Sequence, residues 1–405
     1  VNKFLSTKYQ RFSERFIEGL LMISSTVTSL TVLLIVVFLF KEGFSLFDTS
    51  PVENHTQLYV NKDNPVIHLN AVTIKKVFDQ EITNWKELGG KDAEILLFNV
   101  NDIGNYYAEE EIGSNFEYLP AKLSTLVDSL PNILAVISDK YTGNGFKGKL
   151  VDVDKNNLAD FVSGKEWFPT AEPAVQLGVL PLILGTLLVS FFAIIFALPI
   201  GLATAIYMAE VADQKVRKVL KPVIELLAGI PSVVYGFFGL IVIVPMIHDV
   251  FSLPVGETAL AGSIVLAIMA LPTIITVSED AIRNTPRSMK EASLALGANR
   301  WQTISRVVIP YSLSGISAAT ILGIGRAIGE TMAVLMVTGN AAVIPTSLLQ
   351  PVRTIPATIA AELGEAPNGG VHYKALFALG CILFIITLLI NLWVERISMK
   401  RKFKK

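Results

Sequence analysis

Two opposite charges stand inside an apolar stretch, in the run Gly323-Ile324-Gly325-Arg326-Ala327-Ile328-Gly329-Glu330-Thr331. On a helix, the i,i+4 spacing of Arg326 and Glu330 sets them on one face within pairing reach. At the centre of a membrane helix each would cost roughly 2.5–3.5 kcal/mol on insertion scales. Two readings follow: either the pair only locks helices together, or Arg326 meets an anion in a path through the membrane. A guanidinium offers two parallel N–H donors that match the edge of a tetrahedral oxyanion. Glu330 then holds Arg326 while the path is empty, or accepts a hydrogen bond from an oxyanion that still carries a proton. Gly325 and Gly329 let a helix or small ligand come close, and Thr331 continues the same surface.

Other residues carry weaker signals. Gly229-Ile230-Pro231-Ser232 interrupts an apolar segment, and such breaks are tolerated where they line a cavity or are buried in protein. Ser232 and Tyr235 are therefore further candidates to line the path, and Glu225, just before them, reads as a snorkelling end residue or else as a gate. The histidines, at 55, 68, 248 and 372, are scattered without metal-ligand spacing. Cys381 is the one cysteine, which excludes a disulfide scaffold. Gly143–Leu150 matches G-x-x-x-x-G-K, but Leu150 replaces the hydroxyl that should hold Mg²⁺. No catalytic constellation stands out, so the expectation is a non-enzyme with no metal.

Composition places these residues in a membrane. Of 405 residues, 52% are hydrophobic and 17% charged, against roughly 25% charged in ordinary soluble domains. Mean hydropathy is +0.53. The net charge of −1 gives no sign of a nucleic-acid binder. It also hides a partition: residues 41–176 hold 12 Lys/Arg against 21 Asp/Glu, and the remainder is basic. Segments 18–40, 177–208, 224–247, 258–277, 310–338 and 375–393 are each apolar over about the 20 residues that a spanning helix needs. The first is too long for a signal-peptide core and lacks a small-x-small cleavage site after it, so it reads as a retained anchor.

Basic residues concentrate on the cytoplasmic side of membrane proteins. Here they cluster before the first segment (Lys3, Lys8, Arg11, Arg15), between the second and third (Lys215, Arg217, Lys218, Lys221), between the fourth and fifth (Arg283, Arg287, Lys290, Arg300, Arg306) and in the tail (Arg396 to Lys405). The opposite short loops hold Arg353 and Lys374. Both termini are thus expected in the cytoplasm and the acidic insertion outside. That insertion reads as a small α/β unit, with strands near 66–69 and 95–100, a helix near 73–79 and a turn at Gly89-Gly90. Its run Val77–Gly90 resembles a stretch common in periplasmic phosphate-binding proteins, but Asn99–Asn105 lacks the glycines and hydroxyls of their anion loop. Trp167 and Trp393 fall near expected membrane edges, where Trp is enriched.

The most specific motif lies between the fourth and fifth segments. Glu291-Ala292-Ser293, then Gly297-Ala298, then Val307-Val308-Ile309-Pro310 resembles the EAA loop of ABC importer permeases, E-A-A-x3-G-x9-I-x-L-P. A short amphipathic helix is expected at 288–296, a left-handed Gly297 at its end, and Pro310 in the first turn of the next span. The resemblance implies that this helix docks on a separate ATPase subunit. Small Ala and Ser residues allow close approach, and Glu291 pairs at the rim. Gly325–Val334, Pro351–Ala366 and Lys165–Pro169 closely resemble the PstC-type permease of the phosphate-specific ABC importer, over about residues 160–405.

The fold implied is an all-α polytopic membrane protein of six transmembrane helices with a type I ABC importer permease core. A small α/β extracytoplasmic insertion separates helices 1 and 2. The domains expected are 1–40 (N-terminus and first helix), 41–176 (insertion), 177–393 (permease core, coupling loop 278–309) and 394–405 (basic tail). The implied setting is the bacterial inner membrane. The implied partners are a second, PstA-type permease, two ATPase subunits that bind the ATP and Mg, a phosphate-binding protein and membrane lipid. Arg353 is then a candidate contact for the binding protein. Alternatives are another oxyanion such as sulfate or molybdate, a secondary transporter, against which no inverted repeat is found, or a membrane-anchored sensor.

Overall fold

A computed structural model describes residues 8–52, 56–113, 115–143 and 145–402. Lys3, His55, Asn144, Lys404 and Lys405 lie outside them. Six helices are long and apolar enough to cross a membrane: Arg15–Asp48, Leu180–Val211, Ser232–Phe251, Ala259–Arg283, Arg300–Gly329 and Val371–Arg396.

The fourth span, Ala259–Arg283, is the centre of the bundle and packs along the second and fifth. Its packing face alternates small residues with aliphatic ones: Ala259, Gly262, Ser263, Ala267 and Ala270 are buried among Val265, Leu266 and Ile274. In lipid, apolar side chains gain nothing by leaving hydrocarbon, so close backbone approach carries much of the association. A Cβ on Gly201 of the second span would come within 2.8 Å of Ile274, and one on Gly262 within 2.6 Å of Thr338. Thr258 caps the helix, its hydroxyl accepting from the Ala261 N–H at 3.2 Å. The first span leaves Leu20, Met22, Leu33 and Leu34 exposed, as lipid-facing residues should be. It rests on the sixth through Gly43 against Ala378 and the edge-on pair Phe38–Phe377.

Several helix ends differ from the expected ones. The segment expected as a third span from 224 is two helices, Gln214–Ala228 and then the span beginning at Ser232. Glu225 therefore belongs to the preceding helix. The break falls at Gly229-Ile230-Pro231, where Pro231 disfavours helical geometry in the residue before it. The fifth span begins at Arg300, passes through a π turn at Ile304–Val308, and ends at Gly329 rather than 338. Glu330 is extended, with ψ 133°, and Met332–Val337 is a separate short helix. Pro310 sits in the first turn after that π turn, where its missing N–H is tolerated.

Between the first and second spans the chain forms a mixed α/β unit. Its sheet runs in the order Leu96–Asn99, Ile133–Ser138, Thr56–Val60, Lys149–Leu150. The first pair is parallel and the others antiparallel. One face packs Leu58, Val60, Leu134 and Val136 on the helix Ala71–Phe78 and Trp85; the other packs Tyr59, Phe98, Ala135 and Ile137 on the helix Leu119–Ser129. A sheet covered on both faces reads as continuous apolar runs without alternation, so the strands 56–60 and 133–138 were not expected. The strand and helix expected at 66–69 and 73–79 appear as His68–Leu69 and Ala71–Phe78. The Gly143–Leu150 run ends in the exposed edge strand Lys149–Leu150 rather than a helix N-terminus, so it has no phosphate-cradle geometry.

At the surface of this unit Lys62 and Lys147 flank Asp128, at 2.7 and 3.4 Å. The Lys62 hydrogen bond, against an opposing burial effect and with help from Lys147, holds the Asp128 carboxyl below the usual carboxylate range. A lowered folded-state pKa contributes stability that is present above the unfolded value, about 4, and lost as pH falls through the folded value. Thermal unfolding between about pH 5 and pH 3 should therefore fall less steeply for Asp128→Asn than for the wild type. Parallel curves would show that the cluster contributes nothing.

The second span's first turns are held against the segment before Ile355. A Cβ on Gly185 would sit 2.3 Å from the Arg353 carbonyl oxygen, and Thr186 Oγ1 accepts from the Ile355 N–H at 2.9 Å. Gly325 has nothing within 4 Å of its Cβ position. Gly185→Val should cost about 1–3 kcal/mol, the range for overpacking, while Gly325→Ala should be neutral or slightly stabilising. Reversible unfolding in mixed micelles checks both, and equal stability of the two variants would refute this reading of the packing.

Candidate functional site

Arg326 occupies the last turn of the fifth span, half-buried. The helix does not continue through Glu330, so the i,i+4 geometry expected for the two is lost. No ion pair joins them. Glu330 Oε1 instead accepts from the Ala333 N–H at 3.4 Å, opening the short helix that follows. Arg326 Nη1 donates to Thr273 Oγ1 of the fourth span at 3.4 Å. Among the described residues no carboxylate lies within ion-pair distance of Arg326, so none of them neutralises its positive charge.

The faces beside this guanidinium are open. Neither Gly325 nor Gly329 has a heavy atom within 4 Å of its Cβ position. A largely apolar cavity of about 490 Å³ opens at the end of the span, between Gly329 and Thr331 on one side and Pro356, Ile359, Ala360 and Leu363 on the other. Arg326 does not line it. The Thr331 hydroxyl reaches the Gly329 carbonyl at 3.4 Å. Tyr235 is buried. Its hydroxyl donates to the Leu227 carbonyl at 2.7 Å, across the Gly229–Pro231 break. Tyr235 thus closes the break instead of presenting a free hydroxyl. Ser232 stands at the first position of the third span, partly exposed.

The loop between the fourth and fifth spans folds close to expectation. Its helix runs Arg287–Ala295, and none of its residues is buried. Leu296 is 90% exposed. Gly297 adopts φ +88°, the left-handed conformation expected of it. The Gly297 N–H donates to the Leu294 carbonyl at 2.9 Å and the Ala298 N–H to the Ser293 carbonyl at 3.3 Å. These are the paired bonds of a Schellman end, which glycine makes without steric cost. Ser293 Oγ meets Thr303 Oγ1 at 3.0 Å. Glu291, Ala292, Leu294 and Leu296 form a projecting knob that none of the described residues covers.

Arg353 does not stand free on the surface as a contact for another protein. Its Nη1 lies 2.9 Å from Glu362 Oε1, and its side chain is 19% exposed. The same carboxylate receives His372 Nε2 at 2.9 Å and Trp167 Nε1 at 3.1 Å. Trp167 is buried among Leu46, Phe161, Leu177 and Ile355 with its indole N–H on Glu362, and is not an interfacial belt residue. The cluster joins the base of the insertion, the helix Ile355–Glu362 and the start of the sixth span. Glu362 and Thr273 were missed because nothing local marks them: the Trp167–Glu362 contact spans 195 positions. Among the described residues, no group of three or more His, Cys, Asp and Glu side chains is arranged to hold a metal ion.

The model of the family "binding-protein-dependent transport system inner membrane component" matches residues 197–402. The probable ABC transporter permease protein YqgH of Bacillus subtilis is 43% identical over 244 residues, 60% of this chain and 78% of that protein. The phosphate transport system permease protein PstC of Mesorhizobium japonicum is 40% identical over 249 residues, 57% of this chain and 75% of that one. Among solved structures, an inward-facing MetNI methionine ABC transporter aligns with a TM-score of 0.45 at 18% identity, over 55% of this chain and 95% of that chain. The projecting EAA-type loop, the six apolar helices and the match over about half of the chain have one consequence: this multi-pass membrane protein belongs to the family of binding-protein-dependent transport system inner membrane components.

Proposed function

We propose that this chain is the permease subunit through which a binding-protein-dependent ABC importer moves inorganic phosphate, and that Arg326 meets the anion on its way. Relatives at 40% and 38% identity carry the name phosphate transport system permease protein PstC. The observation that carries the site is the half-buried guanidinium of Arg326 with a hydroxyl for company and no carboxylate. An uncompensated cation in an apolar span is costly, and an anionic cargo would supply the missing charge. Thr273 adds a hydroxyl beside it, and the open Gly325 and Gly329 leave room for a hydrated oxyanion or a second permease to approach.

The distribution of basic residues supports cytoplasmic termini and an insertion on the other side, in a bacterial inner membrane. On that topology the 41–176 unit, the Glu362 cluster and the cavity face the binding protein, and the Arg287–Ala295 helix faces the ATPase. A second permease would complete the path, and two ATPase subunits would draw the coupling helices together. Transport is then a shift between two packings of the same spans. The chain itself carries no step of the ATP chemistry.

Reconstitution with its cognate permease, ATPase and binding protein tests this reading. ATP-dependent phosphate uptake should resist sulfate and molybdate. In Arg326→Gln it should fall at least roughly thirtyfold, the scale of removing a buried charge partner at about 2 kcal/mol or more, in a complex that still assembles. Wild-type-like uptake by that variant would remove Arg326 from the path, and equal competition by sulfate would reassign the cargo.

The docking role has its own check. Gly297→Leu forces a β-carbon into left-handed geometry at about 1–2 kcal/mol, and Glu291→Arg reverses the charge of the knob. Both variants should insert normally and lose the ATPase on purification. Normal amounts of bound ATPase in both would exclude this helix as the docking element.

A further inference from the structure

A coupling helix with no buried residue cannot hold its position by apolar packing. Its links to the rest of the chain are polar and few. Lys290 Nζ lies 2.5 Å from Glu210 Oε1, with side chains 23% and 12% exposed. Ser293 meets Thr303 at the start of the fifth span. Beyond the helix, Arg300 donates to the Glu210 carbonyl. Glu210 belongs to the π turn Tyr207–Val211 that ends the second span. Two basic side chains of the coupling loop thus grip one residue at the carboxyl end of that span. Arg217 completes the grip by donating to the Met208 carbonyl at 2.8 Å and the Ala209 carbonyl at 3.0 Å. Cations suit this end of a helix because its last carbonyls are unpaired and carry the negative end of the dipole.

The other end of the same span is also tied. Thr186 accepts from the Ile355 N–H and Gly185 lies against the Arg353 backbone, next to the Glu362 cluster. Between its ends the span packs along the fourth helix. We infer that Glu210 is a positioning residue for energy coupling: the Lys290–Glu210 pair fixes the coupling helix to the second span, which carries the helix's displacement across the membrane to the segment holding Arg353 and Glu362. This rests on the reading of the chain as a permease driven by a separate ATPase. The pair is well placed for the task, since a half-buried ion pair resists sliding where an exposed one would be screened.

The test uses the reconstituted complex with Glu210→Gln, Lys290→Gln and the exchange Glu210→Lys with Lys290→Glu. The single variants should retain the ATPase and hydrolyse ATP, while phosphate moved per ATP falls roughly tenfold, within the range of coupling between sites. The exchanged pair should recover most of that loss. A merely structural role would lower assembly and leave the ratio of transport to hydrolysis unchanged. Wild-type ratios in both single variants, loss of bound ATPase, or an exchange no better than the singles would each overturn the inference.

A second measurement does not depend on the cargo. Spin labels at Ser288→Cys, exposed and outside the projecting knob, and at Val211→Cys, in a Cys381→Ser background, report the separation of coupling helix and second span. It should stay constant between nucleotide-free and ATP-bound complexes, and should change once Lys290→Gln is added. A separation that changes equally in both would refute the strut. Failure of the wild type to take up phosphate, with the separation constant, would instead remove the phosphate reading and leave the strut standing.

Discussion

Hydrocarbon offers a backbone amide no hydrogen-bond partner, and each unsatisfied group there costs several kcal/mol. Continuous helix is the default answer to that constraint, and six helices of this chain give it. The informative places are those where a helix stops. At Gly229–Pro231 the Tyr235 hydroxyl takes up the Leu227 carbonyl. Past Gly329 the Glu330 carboxylate takes up the Ala333 N–H. At the end of the second span, Arg217 and Arg300 take up the carbonyls of residues 208–210. In each case a side chain is spent on the backbone, which occupies Tyr235 and Glu330, whereas Arg326 reaches only the Thr273 hydroxyl.

The charges then sort into two kinds. Glu362, Glu279 and Glu210 are each paired with at least one cation and act as joints between elements distant in sequence. Glu279, 1% exposed, lies within 4 Å of Arg217, Lys221 and Arg283 and fixes the Gln214–Ala228 helix to the fourth span. Arg326 differs from these: it donates to a hydroxyl, and among the described residues no acid lies within ion-pair distance of it. Such an asymmetry is costly unless something else supplies the anion, which is the physical ground for proposing that an anionic cargo meets Arg326.

Small residues do the remaining work. Gly201 lets the second span close on the Ile274 side chain of the fourth, and Gly262 lets the fourth close on the side chains of Val189 and Thr338. Gly325 and Gly329 belong to the same sequence class but face empty space. The difference is one of helix face alone. It leaves the end of the fifth span open at these two positions, whereas the centre of the bundle is closely packed.

Much was legible in the order of residues. Runs of apolar residues set the number of spans, because bilayer thickness requires them whatever the packing. The EAA-type loop was legible down to the left-handed Gly297, because a helix end is a local problem with a local solution. Other features needed the folded chain. The buried strands Thr56–Val60 and Ile133–Ser138 lack alternation, and a short apolar run does not announce its own secondary structure. The end of the fifth span at Gly329 depends on what receives its freed backbone groups. The Arg326–Glu330 pair was inferred from spacing on an uninterrupted helix, and three-dimensional structure broke that helix between them. Arg353 and Trp167 found Glu362, and Lys290 found Glu210, across 80 positions in the last case. Periodicity and motifs are set by neighbours along the chain, whereas the partner of a buried charge is set by which helices pack together.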